Sequence, residues 1–266
     1  MTRMDATRIE HIEPEHAADA WPLGRARLGL ILLSVDRASE SELRRMLPAD
    51  LVEMHVNRVT MGTHTSLATL RALEADLSRS ARDLLPETRL DAIAFACTSG
   101  AVAIGRERVR ACIGESHPGV PVTAPLEAAG CALRALEAER VAVVTPYVDE
   151  VNELIAGALE DDGRTISRFG SFHLAADPEM TAVAPASLHA AALALDCADA
   201  EAVFICCTAL RPAGILADLE QRLGKPVISS HQAMLWHALA LAGVDEPIHG
   251  YGSLLERPQR SRHRPA

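Results

Sequence analysis

From residue 27 onward, short apolar runs alternate with stretches in which apolar residues recur every three or four positions. Leu28-Gly29-Leu30-Ile31-Leu32-Leu33 has no polar interruption, the pattern of a strand buried on both faces. Similar short runs predict strands over residues 54–59, 90–96, 120–123, 140–145, 165–169, 202–206 and 226–229. The helical period predicts helices over 39–47, 66–85, 99–112, 126–138, 148–159, 178–195, 213–223 and 232–241. Ser39 and Glu42 have the spacing of a capping box at the first helix, and Pro48 and Pro86 close the first two. Strands that alternate with helices in this way predict an α/β protein with parallel sheets covered on both faces.

The pattern repeats within the chain. Phe95-Ala96-Cys97-Thr98-Ser99 has a counterpart in Ile205-Cys206-Cys207-Thr208-Ala209, each at the end of a predicted strand and the start of a helix. Pro121-Val122-Thr123-Ala124-Pro125 corresponds to Pro226-Val227-Ile228-Ser229-Ser230 in the same way. The two Cys-Thr pairs lie 110 residues apart, close to half of the regular part of the chain. Two pseudo-symmetric Rossmann-like or flavodoxin-like halves account for this. Ligands in open α/β sheets bind beyond the carboxyl ends of the strands, so halves that face each other bring both pairs to one cleft. The expected organisation is an N-terminal arm over 1–25, a first half over 26–145, a second half over 146–253 and a basic tail over 254–266. Part of the C-terminal segment is free to pack back on the first half.

Composition narrows the partners. The formal net charge of -10 disfavours nucleic acid, and the basic residues that cluster (Arg257, Arg260, Arg262, His263, Arg264) sit in the tail. No apolar run approaches the ~20 residues of a membrane helix. The polar, acidic start lacks the apolar core of a signal peptide, so a cytoplasmic protein is expected. In that compartment six cysteines are buried, metal-bound or catalytic rather than paired. There is no Cys-x-x-Cys pair and no His pair at helical spacing, which argues against a metal. Neither G-x-G-x-x-G after a strand nor a phosphate-binding loop is present, which argues against a nucleotide cofactor.

Cys97 and Cys207 carry the candidate chemistry. A cysteine at a helix N-terminus meets unpaired N–H groups and the positive end of the helix dipole, and such thiols titrate as low as roughly 3.5–7.5 instead of ~8.5. Thr98, Ser99 and Thr208 add hydroxyl donors for a carboxylate. A thiolate on one side of a bound carbon and a thiol on the other form a two-base pair with coupled titrations, suited to racemisation or isomerisation. Cys112, Cys131 and Cys197 read as small apolar residues on helices, and Cys206 as a core-facing strand residue.

Four segments resemble one family: residues 95–105 around Cys97, Val144-Thr145-Pro146-Tyr147-Val148-Asp149-Glu150-Val151-Asn152, residues 204–211 around Cys207, and residues 229–237. Together, across about residues 27–253, they resemble the Asp/Glu racemase superfamily. The similarity is to the branch of maleate cis-trans isomerases and arylmalonate decarboxylases, and most of all to the racemase-like ectoine-utilisation proteins. The resemblance implies a cofactor-independent isomerase or racemase, with Cys97 and Cys207 as the catalytic pair and no metal. Its substrate would be a small carboxylate or amino acid derivative, with a role in ectoine catabolism as one implication. Maleate isomerisation, arylmalonate-type decarboxylation and a non-catalytic ligand-binding role are the alternatives. Both cysteines are present, which favours isomerisation, because decarboxylase-like members lack the first. The resemblance further implies Thr98, Ser99, Thr208, Tyr147, Asp36 and Asp177 as substrate-binding residues. It departs at Cys206, where serine is usual, at His231, where asparagine is usual, and at Asp36 and Asp177, where maleate isomerases use amides. An acid at such a place repels a second carboxylate or attracts an amine. A homo-oligomer is common for such folds.

Overall fold

Residues 13–14, 24–48 and 51–257 are described by the structure, a computed structural model. The arm and the basic tail expected at the two ends lie largely outside them. β1 (Ala26–Leu33) is buried at every position but Arg27, as a central parallel strand requires. It pairs in parallel with β2 (Val52–Val59) on one side and β3 (Ala92–Phe95) on the other, and β4 (Val122–Thr123) pairs with β3. The second sheet repeats this plan. β5 (Arg140–Tyr147) lies between β6 (Thr165–Leu174) and β7 (Ala202–Ile205), with β8 (Val227–Ser229) at the edge. The strand orders are β2-β1-β3-β4 and β6-β5-β7-β8, all parallel. The internal repeat therefore reflects two α/β halves of one topology.

The order turns back between β1 and β3 in one half and between β5 and β7 in the other. A crevice opens beyond the carboxyl ends of strands at such a point. Phe95 and Phe204, both fully buried, anchor the ends of β3 and β7 beneath it. Burial of each such ring contributes about 1.5–3 kcal/mol relative to exposure.

Several predicted helices are divided, and the breaks at Gly105 and Pro185 have a local cause. Residues 66–85 form α2 (Leu67–Ala72) and α3 (Glu74–Arg82), after α1 (Ser39–Met46). Residues 98–114 form α4 (Thr98–Ile104) and α5 (Arg106–Gly114), interrupted at Gly105, whose φ of 92° a helix cannot contain. α6 (Pro125–Ala135) and α7 (Asp149–Asp161) are single. Residues 177–195 divide into α8 (Asp177–Ala182) and α9 (Pro185–Leu195), because Pro185 lacks an N–H and holds Ala184 extended at ψ 143°. α9 ends at Leu195, so Cys197 lies past it in a loop, not on a helix. Ala213–Ile215 is a 3-10 turn leading into α10 (Leu216–Leu223). α11 (Ser230–Leu241) follows β8, and α12 (Ser253–Glu256) packs on it.

The two halves interlock. α11 leaves the second sheet and packs on α6, β3 and β4 of the first half, and also on α1. α4 of the first half packs on α7 of the second. The capping box expected at Ser39 and Glu42 does not form. Glu42 instead accepts the backbone N–H of Ala213 at 2.7 Å, tying α1 to the second half. No helix among the described residues is long and apolar enough to cross a membrane.

Candidate active site

Cys97 follows β3 and is the N-cap of α4. Its Sγ accepts the backbone N–H of Gly100 at 3.2 Å, the place a serine or threonine hydroxyl usually takes at a helix start. Ser99 adds a side-chain hydrogen bond to the same sulfur. Close packing fixes this arrangement. A Cβ added at Gly100 would lie 2.7 Å from Cys97 Sγ and 2.8 Å from Leu73 Cδ1.

Cys207 occupies the matching place after β7. Its Sγ accepts the N–H of Ala209 at 3.2 Å, and the Tyr147 side chain hydrogen-bonds to it as well. Its φ of 153° is a backbone conformation that side-chain-bearing residues rarely adopt. The Ser230 hydroxyl holds it there by accepting the Cys207 N–H at 3.0 Å. Tyr147, at the end of β5, is held by its own carbonyl, which accepts from Asn152 Nδ2 at 2.8 Å and Ser171 Oγ at 2.5 Å. Asn152 Oδ1 in turn accepts from Thr145 Oγ1 at 2.5 Å.

Short polar links join the two cysteine segments. Thr98 Oγ1 donates to Ser230 Oγ at 3.1 Å, so one hydroxyl connects α4 to the Cys207 backbone. Thr208 Oγ1 donates to the carbonyl of Ala96 at 3.1 Å. Loops from both halves also pair above the crevice. His64 and Ala176 form an antiparallel bridge, flanked by Thr65 N–H to Ala175 O at 2.8 Å and Asp177 N–H to Thr63 O at 2.9 Å. This pairing sets Asp177 over the two thiols.

Cys97, Thr98, Ser99, Tyr147, Asp177, Cys207 and Thr208 thus line one small cavity, with Met61, Leu70 and Met180 among its apolar walls. Cys97 and Cys207 are each nearly inaccessible to solvent. A larger open depression, bordered by Arg106, Arg110, Glu127 and Asp161, lies elsewhere, and neither Cys97 nor Cys207 lines it. All six cysteines are unpaired, and no group of three or more His, Cys, Asp or Glu among the described residues is arranged to hold a metal ion.

The electrostatics differ from the expectation of low-pKa thiols. Burial pushes Cys97 up to about 12, and the nearby Asp177 and Asp36 carboxylates add to the rise. Burial likewise pushes Cys207 up to about 12, against the hydrogen bonds from Tyr147 and Ala209. Desolvation therefore outweighs the helix dipole and the donors, and both thiols carry their protons at neutral pH. Burial also raises the Tyr147 hydroxyl well above its ordinary value, leaving it a donor.

Asp36 is positioned differently from the other predicted residues. It does not line the cavity. Its Oδ1 accepts the N–H groups of Ala38 and Ser39 at 2.9 and 2.8 Å, and its Oδ2 accepts from Ser39 Oγ at 2.5 Å, which fastens the start of α1. Because Ser39 gives its proton to Asp36, His231 Nε2 donates to Ser39 Oγ at 3.0 Å. His231 is fully buried, burial lowers it to about 4, and its Nδ1 has no hydrogen-bond partner. The Asp36–Ser39–His231 chain backs the Thr208 carbonyl, to which Ser39 Oγ lies at 3.5 Å. Sequence reasoning missed Ser230 as the link between the halves. The signal was present, since Ser230 belongs to the second copy of the 121–125 repeat.

A family profile described as arylmalonate decarboxylase matches residues 64–255. A maleate isomerase of Nocardia farcinica is 28% identical over 246 residues, covering 88% of this chain and 97% of the relative. An arylmalonate decarboxylase of Bordetella bronchiseptica is 33% identical over 141 residues, covering 52% of this chain and 59% of the relative. Among solved structures, a mutant of the Nocardia farcinica maleate cis-trans isomerase with a covalently bound succinylcysteine intermediate matches with a TM-score of 0.80 and 26% identity, covering 87% of this chain and 98% of that one.

Proposed function

The chain belongs to the arylmalonate decarboxylase family, and from that premise we propose that it is a cofactor-independent isomerase converting a small cis-unsaturated carboxylate to its trans form with Cys97 and Cys207. The observation that carries the reading is the presence of both cysteines on one cavity, with Thr98, Ser99, Tyr147 and Thr208 in its lining. The maleate isomerases among its relatives, one with a cysteine adduct, support it. The reading includes a cytoplasmic enzyme, with a homo-oligomer as the assembly to test.

The chemistry balances without an outside reactant. Cys97, a thiol at rest, first gives its proton to solvent, and as thiolate it adds to one alkene carbon and forms a C–S bond. The electron pair moves to the neighbouring carbon, spread into the adjacent carboxylate, and the Cys207 thiol delivers its proton there. Tyr147 and the Ala209 N–H steady the Cys207 thiolate that results. The former double bond is now single and rotates. Cys207 then removes the proton, the C–S bond breaks, the trans alkene forms and Cys97 leaves as thiolate. The N–H groups of Thr98 and Ser99 at the start of α4 suit the carboxylate that takes up charge, joined by the Thr98, Ser99 and Thr208 hydroxyls once these turn from Ser230, Cys97 and Ala96.

Racemisation of an amino acid derivative is the second reading. Two thiols on opposite sides of a carbon suit it equally, and Asp177 on the cavity favours a substrate that carries nitrogen. Proton NMR in D₂O with maleate separates the readings. Loss of the cis-alkene signal with growth of the trans signal, abolished by either Cys97→Ser or Cys207→Ser, supports cis-trans isomerisation. Exchange of the α-proton of an amino acid derivative without any alkene change supports racemisation instead. Carbon dioxide release from an arylmalonate that needs Cys207 but not Cys97 overturns both.

A further inference from the structure

Asp177 has a feature that thiol chemistry does not require. Its Oδ1 is buried and makes no hydrogen bond, although the residue is only 7% exposed and lines the cavity with both thiols. Thr181, one turn along α8, eases the charge slightly, but neither its hydroxyl nor Asp177 Oδ1 completes a hydrogen bond. Buried carboxylate oxygens almost always have partners, so one left without a partner on a residue that lines a reaction cavity points to a missing donor. The protein does not supply that donor. No Lys, Arg or His side chain lines the cavity among the described residues. Arg37 acts on Asp177 through its charge but is itself exposed. Asp36 adds a second negative charge nearby, already committed to α1.

A second carboxylate entering this space would meet an anion and no cation. An N–H group would complete the open bond. We infer that Asp177 is a specificity-determining residue, and that the substrate pairs its reacting carboxylate with a nitrogen donor at the opposite end, an ammonium or a primary amide, instead of a second carboxylate. This rests on the proposed carboxylate seat at Thr98, Ser99 and Thr208. Burial and the Asp36 charge raise Asp177 to about 6, so at pH 8 it is an ionised acceptor.

The test reads binding and turnover separately at pH 8. Succinate, succinamate and 4-aminobutyrate protect Cys97 and Cys207 from iodoacetamide, followed by mass spectrometry. Maleate and its half-amide, maleamate, are offered as substrates. Succinamate or 4-aminobutyrate is expected to protect at least tenfold better than succinate, the better of the two naming the donor as amide or ammonium. Asp177→Asn is expected to reduce that preference at least tenfold. Maleamate is expected to exceed maleate at least tenfold in kcat/KM, with most of the difference in KM. Wild-type protection by succinate equal to or better than the nitrogen ligands overturns the assignment, whether or not the variant folds. Selective protection by a nitrogen ligand without turnover of either alkene supports the assignment and counts instead against the isomerase reading.

Discussion

Removing the Tyr147 hydroxyl isolates one hydrogen bond of the proton-transfer step. In the proposed cycle Cys207 becomes a thiolate each time it gives up its proton. Burial holds that sulfur up at about 12, and Tyr147 is the largest influence opposing the rise. A hydrogen bond to a charged group contributes about 1.5–3 kcal/mol, so Tyr147→Phe lowers the accessible thiolate and the turnover by about 10–150-fold. The ring keeps its place on β5, because its anchors from Asn152 and Ser171 go to the backbone carbonyl. The assay is kcat for cis-trans conversion, with the iodoacetamide rate at Cys207 measured in parallel. Both should fall together while the melting temperature changes little. A variant within twofold of wild type in both rates would refute the role given to Tyr147.

Gly100→Ala forces the Cys97 sulfur or Leu73 to move, because the added carbon sits 2.7 and 2.8 Å from them. Turnover should drop more than tenfold, with no gain in melting temperature despite the better helix former; wild-type turnover would show the sulfur need not stay where it is. Since both thiols sit at about 12, kcat/KM should rise about tenfold per pH unit from pH 7 to 9. A plateau beginning below pH 7 would mean that the helix start, not burial, controls Cys97. His231 is lowered from 6.5 to about 4, so the unfolded chain takes up its proton first as pH falls. Its share of stability is complete above pH 6.5 and is lost between 6.5 and 4, amounting to about 2–3 kcal/mol by pH 4.5. Asp177, raised to about 6, works in the opposite sense between 3.8 and 6, its penalty being largest above pH 6. Urea unfolding at pH 7.5 and 4.5 should show a smaller difference for His231→Gln than for wild type, and an unchanged difference would contradict this account of the buried ring.

The parallel strands were legible because they are buried on both faces and leave uninterrupted apolar runs, as in residues 28–33. The duplication was legible because Cys-Thr follows β3 and β7 alike. Helix breaks were harder to read. Gly105 and Pro185 stand within otherwise helical patterns, and whether they kink or divide a helix depends on packing. Asp36 was legible as a residue after β1, but not as one whose oxygens are all spent on α1. That outcome depends on Ser39 and His231, which are 192 residues apart. The thiol titrations were misjudged because a helix start is visible in sequence, whereas the closure that desolvates it is not. That closure comes from loops at 63–65 and 175–177, which meet only in the fold.

The central claim is that Cys97 attacks the substrate while Cys207 supplies the proton. The direct measurement is intact-protein and peptide mass spectrometry of Cys207→Ser incubated with maleate or maleamate at pH 8. The account predicts a mass increase of one substrate molecule, carried by Cys97 and absent from Cys97→Ser. An adduct confined to the other thiol, in Cys97→Ser alone, would reverse the two roles. No adduct in either variant, with wild type turning the substrate over, would contradict covalent addition altogether.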